Sequence, residues 1–140
     1  MVVLLDTNVI LNFLTGREDP FLNASEKIMR LAATNKIKAF FAIHTLPTIW
    51  YVLRKTRSDD DTRKSIERIC IYLNMATISR KEAVGAIKNK DFRDFEDCLQ
   101  DECAMSVGAD YLITCNKKDF KNAKSSILNP DEFWDFFCGG

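Results

Sequence analysis

The feature that most constrains the fold is an apolar run that begins at the second residue and stops at an acid. Val2 to Leu5 are four consecutive apolar residues with a high strand preference, and Asp6-Thr7-Asn8 follows them directly. An uninterrupted apolar strand is typical of a parallel strand that is covered on both faces. Apolar residues then recur at helical spacing until Gly16, which predicts a short helix. The start of the chain therefore predicts a strand–helix unit of a parallel sheet.

The rest of the chain alternates in the same way. Further strands are predicted at residues 38–43, 76–78, 111–114 and 127–128. Helices are predicted at residues 25–33, 46–55, 62 to about 74, 81–87, 94–107 and 130 to about 138. Residues 58–61 are interpreted as a polar linker, with Thr62 as the N-cap of the helix that follows. Strands that alternate with helices predict one three-layer α/β domain, residues 1–140, with a mostly parallel central sheet.

Composition narrows the class of protein without deciding its function. The chain carries 20 basic and 20 acidic residues, so it lacks the cationic excess of a strongly basic nucleic-acid binder, although a local basic patch can still attract phosphate. The five cysteines have no C-x-x-C spacing and the single histidine, His44, has no companion, which argues against disulfides and zinc. The apolar stretch after Met1 is too short for a signal peptide or membrane span, so we expect a cytoplasmic protein.

Several acidic residues lie at positions where the predicted fold would bury or crowd their charges, so their presence needs an explanation. Asp6 follows a buried strand, where it either caps the next helix or acts as a ligand for Mg²⁺ or Mn²⁺. Asp94, Asp97 and Asp101 share one face of a predicted helix, since they are spaced i, i+3 and i+7. Such a face is either a solvated acidic surface or a surface that directs one of its acids at an ion.

A third acid follows the predicted strand at residues 111–114. Asn116 and Asp119 are residue types that build ordinary turns. Alternatively, Thr114 and Asn116 support a site to which Asp119 adds a carboxylate. Functional groups of parallel sheets gather beyond the carboxyl ends of the strands, so the fold can bring these acids together. A cluster of carboxylates can hold a hard divalent ion, which activates water for attack on a phosphodiester.

Three motifs of the chain resemble those of the PIN-domain family. Residues 6–10, Asp-Thr-Asn-Val-Ile, resemble the N-terminal motif D-T-N-V-I/L. Asp97 and Ala104 match an Asp followed after six residues by Ala, and residues 114–120 resemble the element T-x-N-x-x-D-F. The order and separations agree, and the likeness covers essentially the whole chain. The resemblance implies a three-layer α/β fold and cleavage of single-stranded RNA by a water that Mg²⁺ or Mn²⁺ activates.

The resemblance also implies roles for individual residues. It assigns metal binding and catalysis to three acids and a supporting role to three neutral residues, namely Asp6, Asp97 and Asp119, and Asn8, Thr114 and Asn116. Lys117 and Lys118 lie inside the last motif and are weaker candidates for RNA binding. Among small members, the chain is most similar in type to VapC-like toxins. That type implies a homodimer and a small antitoxin protein that blocks the site.

One position departs from the pattern of these toxins. They usually carry a Glu in the helix after the second strand, where this chain has the neutral residue Thr48. We expect the missing carboxylate to weaken metal affinity, with Asp94 or Asp101 as candidate replacements for its charge. The alternative to a metal-dependent endoribonuclease is therefore a catalytically weak or inactive PIN-like module that binds RNA or a protein.

Overall fold

The computed structural model, which describes residues 1–139, contains a five-stranded sheet. Its strands are β1 (Val2–Leu5), β2 (Lys38–Ala42), β3 (Asn74–Ala76), β4 (Tyr111–Ile113) and β5 (Ile127–Leu128). They lie in the order β3-β2-β1-β4-β5, and each neighbouring pair is parallel. The predicted α/β class with a central parallel sheet is therefore confirmed.

Helices connect the strands along the described part of the chain. They are α1 (Thr7–Thr15), α2 (Leu22–Ala33), α3 (Thr45–Leu53), α4 (Asp59–Tyr72), α5 (Arg80–Lys88), α6 (Phe95–Ser106) and α7 (Pro130–Gly139). A short 3-10 helix, Lys117–Phe120, lies between β4 and β5. Within residues 1–139, no helix has both the length and the apolar character needed to cross a bilayer.

Helices cover both faces of the sheet because successive strand residues point to opposite sides. Val3 and Leu5 belong to a hydrophobic cluster that includes Ile49 of α3, whereas Leu4 belongs to a second cluster with Ala104 of α6. All three β1 side chains are fully buried. The uninterrupted apolar run of the sequence thus reflects burial on both faces, and the three-layer prediction is confirmed.

Two local predictions are wrong. Residues 59–61 are not a linker, since they form the first turn of α4, where Ser58 rather than Thr62 is the N-cap and its Oγ accepts a hydrogen bond from the Asp61 N–H at 3.1 Å. Acidic side chains are favourable there because the N-terminal end of a helix is partly positive. The third strand is Asn74–Ala76 instead of residues 76–78, because this register pairs it with β2 at residues 40–42.

The strand order places a topological switch point between β1 and β4. The chain runs from β1 through β2 to β3 on one side, whereas β4 and β5 lie on the other side. Leu5 and Ile113 are in register, and the Asp6 N–H donates to the Ile113 carbonyl at 2.9 Å. The residues that follow β1 and β4 therefore lie side by side at the carboxyl edge of the sheet, where parallel α/β proteins bind ligands.

Candidate metal and nucleic-acid site

Asp6 is a buried carboxylate at the carboxyl end of β1. Its side chain is 6% exposed, and each of its oxygens accepts one hydrogen bond. Oδ1 accepts from the Thr7 N–H at 2.8 Å, so Asp6 is the N-cap of α1, and Oδ2 accepts from Thr114 Oγ1 at 2.8 Å. Burial raises the pKa of Asp6, and these two hydrogen bonds, with the nearby His44, offset part of the rise. Asp6 is therefore both the N-cap of α1 and a candidate metal ligand, and its two hydrogen bonds fix the orientation of its side chain.

Asp97 reaches the same edge from the first turn of α6. Its backbone N–H donates to Oδ1 of the N-cap Asp94 at 3.1 Å, which fixes the start of the helix. The Asp97 side chain is half-buried, and its pKa is raised to about 7. Loss of water contact is the largest cause, followed by the negative charges of Asp6, Asp94, Asp119 and Glu96. The repulsion shows that carboxylates from three separate segments converge here.

Asp119 completes this group from the 3-10 helix. It is exposed, and together with Arg93, Asp94 and Asp97 it lines a depression of about 330 Å³. Sequence reasoning did not single out Arg93, which adds a positive charge at the rim. The structure therefore brings Asp6 close to Asp97 and Asp119, although Asp6 lies 91 positions before Asp97 in the sequence.

The chemistry of these side chains fits a hard divalent cation. Mg²⁺ and Mn²⁺ prefer oxygen ligands, and Mg²⁺ is commonly held by one or two carboxylates while it keeps several waters. A cation would also relieve the repulsion that raises the pKa of Asp97. In their present positions, no three Asp, Glu, His or Cys side chains within residues 1–139 lie close enough together to coordinate one metal ion.

Thr114 is the supporting residue with the clearest contacts. It is fully buried, donates to Asp6 and accepts a hydrogen bond from the Asn116 N–H at 3.1 Å. The Asn116 side chain is exposed and makes no hydrogen bond within residues 1–139. Asn8 is engaged elsewhere, since its Oδ1 accepts from Arg17 Nη2 at 3.1 Å. Only Thr114 thus directly orients one of the three acids.

The two candidate replacement acids differ in their surroundings. Asp94 adds its charge to the group around Asp97. Asp101 is 2% exposed, and its two oxygens accept the backbone N–H groups of Lys124 and Ser125 at 2.9 and 3.0 Å. It therefore fixes the loop before β5, and it is absent from the acids whose charge acts on Asp97. The expectation that Asp101 supplies a missing charge to the site is wrong.

A buried polar network beside the acids was missed in the sequence. Thr7 and Thr45 share a hydrogen bond of 2.9 Å between their hydroxyls, and Gln100 Nε2 donates to them at 3.3 and 3.1 Å. The three side chains connect the starts of α1 and α3 with the middle of α6, so they fix the helices that carry Asp6 and Asp97. The only sequence signal was a Gln at a helix position that proves to be fully buried.

The fold and the acidic edge define an α/β protein with a carboxylate site at a topological switch point. A family model described as the PIN domain matches residues 2–118, so the chain belongs to the PIN-domain family. Among curated proteins, it is similar to ribonuclease VapC1 of Aquifex aeolicus (strain VF5). The two are 29% identical over 138 residues, a match that covers 94% of this chain and 92% of that protein.

Solved structures show the same fold at low sequence identity. VapBC2 of Rickettsia felis, bound to a DNA fragment from its promoter, superimposes with a TM-score of 0.69 at 17% identity and covers 92% of this chain and 98% of that one. VapBC-1 of nontypeable Haemophilus influenzae gives a TM-score of 0.69 at 18% identity, with 94% and 99% covered. At these identities the likeness establishes the fold and leaves activity to be argued from the site.

Proposed function

We propose that this protein is a divalent-metal-dependent endoribonuclease that cleaves single-stranded RNA, with Asp6, Asp97 and Asp119 as the residues that hold Mg²⁺ or Mn²⁺. The observation that carries the proposal is the convergence of these acids at the carboxyl edge of β1 and β4, where burial and, after it, the neighbouring negative charges raise the pKa of Asp97 to about 7. A site with surplus negative charge and oxygen donors suits a divalent cation and, with it, the phosphodiester of a nucleic acid.

The chain's own residues would orient the acids and hold the substrate. Thr7 and Thr114 fix the two oxygens of Asp6, each of which keeps a lone pair for an ion. The partly positive N-terminal end of α6 favours the charged form of Asp97. Arg93 supplies a cation at the rim of the same depression, where a phosphate would lie. A bound divalent ion would supply the charge that activates water and stabilises the phosphodiester during cleavage.

The relatives support a more specific biological role. Similar proteins include the ribonuclease VapC1 and members of VapBC and FitAB pairs, and one similar structure is a toxin–antitoxin complex from Klebsiella pneumoniae. We therefore propose that this chain is the cytoplasmic toxin of such a pair, with a small antitoxin protein as its partner. We also propose that residues 1–140 form one domain that pairs as a homodimer, since Tyr51 of α3 and Ile71 of α4 are 67% and 74% exposed.

A cleavage assay tests the proposal directly. Purified protein is incubated with a mixed pool of single-stranded RNA and Mn²⁺ or Mg²⁺, beside Asp97→Asn and a chelator control. We expect cleavage by the wild type that disappears in both other lanes. Equal cleavage by the wild type and Asp97→Asn would refute the assignment of Asp97 and point to a contaminating nuclease. Asp135→Asn, at an exposed acid of α7, serves as the matched control and should cleave like the wild type.

The alternative is a weak or inactive PIN-like module that binds RNA or a protein. Thr48 motivates it, because this partly exposed residue in the first turn of α3 is neutral and makes no side-chain hydrogen bond within residues 1–139. Silence of the wild type in the assay above, combined with cleavage by Thr48→Glu, would favour this alternative. Cleavage by the wild type would exclude it.

A further inference from the structure

A second depression is lined by residues of the 3-10 helix and of the segment that leads to β5. It has a volume of about 520 Å³, which is in the size range of ligand pockets. Its apolar lining comes from Ala123, Ile127 and the almost fully buried Phe120, and its positive charge comes from Lys117, Lys118 and Lys121. An apolar surface edged with positive charge suits a ligand that combines a flat apolar ring with an anionic group.

This depression, which we term the lysine slot, connects to the acids through shared residues. Lys118 and Lys121 also line an intermediate depression of about 370 Å³ that includes Asp119 and Arg93. Asp119 and Arg93 in turn line the depression of about 330 Å³ that holds Asp97. The three depressions thus form a continuous path from the acids to the lysine slot. A nucleic-acid strand lying on the acids would extend along it.

The charges along this path favour a polyanion. Lys118 and Lys121 are exposed and form no ion pair within residues 1–139, so their charges are available to phosphate groups. Lys117 is held by Glu132 at 3.0 Å, which places its aliphatic stem along the rim. Negative charge lies at the acids, at Asp91 in the intermediate depression and at Glu132 beside Lys117, whereas the positive charges of Lys118 and Lys121 lie towards the slot.

The apolar lining of the slot is held in place by packing and by backbone hydrogen bonds. The Phe120 ring packs edge to face against Phe92, with centroids 6.2 Å apart. The Ala123 N–H donates to the Phe120 carbonyl at 2.9 Å. Asp101 binds the backbone of the two residues after Ala123, as described above. Asp101, which lies outside the metal group, thus holds the backbone beside the slot, and such preorganisation lowers the cost of binding.

We propose that the lysine slot binds a nucleobase of the RNA substrate, about one or two nucleotides from the phosphodiester that is cut, while Lys118 and Lys121 contact the intervening phosphates. The short separation follows from the 3-10 helix, whose rise of about 2 Å per residue places Lys117 and Lys121 only a few ångströms from Asp119. The slot is thereby a determinant of where the RNA is cleaved. This inference rests on the proposed ribonuclease function and adds a subsite to it.

The test removes single bases from an RNA that the wild type cleaves at a mapped position. Abasic nucleotides are placed in turn on each side of the cut, and kcat/KM is measured for the wild type and for Ala123→Trp, which fills the slot. For the wild type, we expect one abasic position to lower kcat/KM by about tenfold, the scale of base stacking on a protein surface. Ala123→Trp should cut the intact RNA about as slowly as the wild type cuts the RNA with that abasic position. The same abasic change should not lower kcat/KM of Ala123→Trp any further.

A charge variant keeps the inference testable if Ala123→Trp does not fold. Lys118→Ala with Lys121→Ala should weaken RNA binding and reduce the slope of log K against log salt concentration by about 1.4, the value for two phosphate contacts on a single strand. Lys81→Ala with Lys88→Ala removes the same charge from exposed positions of α5 and should leave both unchanged. Two results would overturn the proposed base-binding role of the slot while leaving the ribonuclease proposal intact. One is an equal loss of RNA affinity in the two double variants, and the other is an equal loss of kcat/KM on the abasic RNA in the wild type and Ala123→Trp.

Failure of the proposed function gives a different result. A wild type that does not cut intact RNA refutes the ribonuclease proposal, and binding of the same RNAs is then measured by fluorescence anisotropy with chelator present. Weaker binding by Ala123→Trp than by the wild type would support a base-binding slot. Equal binding, or no RNA binding by the wild type at low salt, would overturn it and leave a protein ligand as the occupant to be sought.

Discussion

Replacing Asp97 by Asn should stabilise the metal-free protein at about pH 8. The pKa of Asp97 is raised from the ordinary 3.8 to about 7, which at about 1.4 kcal/mol per pKa unit sets an upper bound of roughly 4 kcal/mol on its unfavourable interactions. The side chain is half-exposed, so solvent screening removes at least half of this. Asn also loses the favourable interaction of a charge with the start of α6, about 0.3–1 kcal/mol. The net gain is about 1–2 kcal/mol.

The pH dependence of this gain follows from the sign of the shift. Because the pKa of Asp97 is higher in the folded protein than in the unfolded chain, folded Asp97 retains a proton that the unfolded chain has lost. The contribution of Asp97 to stability is therefore fully present below about pH 4 and is lost as the pH rises through about 7. The advantage of Asp97→Asn should be largest above about pH 7 and should vanish below about pH 4.

Thermal unfolding with a chelator present measures the effect. At this chain length, 1 kcal/mol corresponds to roughly 2–4 °C, so a gain of about 1–2 kcal/mol should raise the Tm of Asp97→Asn by roughly 2–8 °C at about pH 8. Asp135→Asn, at an exposed acid of α7, should leave Tm nearly unchanged. An Asp97→Asn protein no more stable than the wild type at about pH 8, or equally more stable at about pH 4, would show that burial and the neighbouring acids do not raise the pKa of Asp97 as described.

Three further substitutions probe the surroundings of the acids. Gln100→Leu removes the donor to Thr7 and Thr45 and should cost about 1–2 kcal/mol, measured as a lower urea midpoint; an unchanged midpoint would mean that the network adds no stability. Thr114→Val removes the donor to Asp6 and should raise the pKa of Asp6 further, so that Mn²⁺ affinity measured by calorimetry falls and recovers as the pH is raised. Unchanged affinity would exclude an orienting role for Thr114. Thr48→Glu should raise Mn²⁺ affinity, whereas Thr48→Gln, the neutral control, should not.

The sequence predicted the sheet well because the signal lies in local residue patterns. The run from Val2 to Leu5 is apolar throughout since its alternate residues enter clusters on opposite faces of the sheet. The errors lie where tertiary pairing or helix capping decides between similar segments. β3 ends at Ala76 because Ala76 pairs with Ala42, and sequence propensity contains no information on that register.

The candidate site was only partly predictable for a related reason. Asp6, Asp97 and Asp119 were identified from motifs and from their positions after apolar segments, and the structure brings them together. The opposite roles of Asp94 and Asp101 were not predictable, because both lie on one helix and differ only in what the fold places beside them. Gln100 was missed because its two hydroxyl partners are 93 and 55 residues away along the chain.

The neutral residue at position 48 bears on both the stability and the activity of such a site. Each carboxylate added to a half-buried acidic group strengthens its attraction for a cation and, when no cation is bound, its internal repulsion. Glu96 and Asp94 already place charge beside Asp97, so the group is strained by repulsion even with Thr48. Thr48→Glu should therefore raise metal affinity while lowering the metal-free Tm at about pH 8. Because one set of charges governs both quantities, a gain in affinity without a loss of metal-free stability would place residue 48 outside the acidic group.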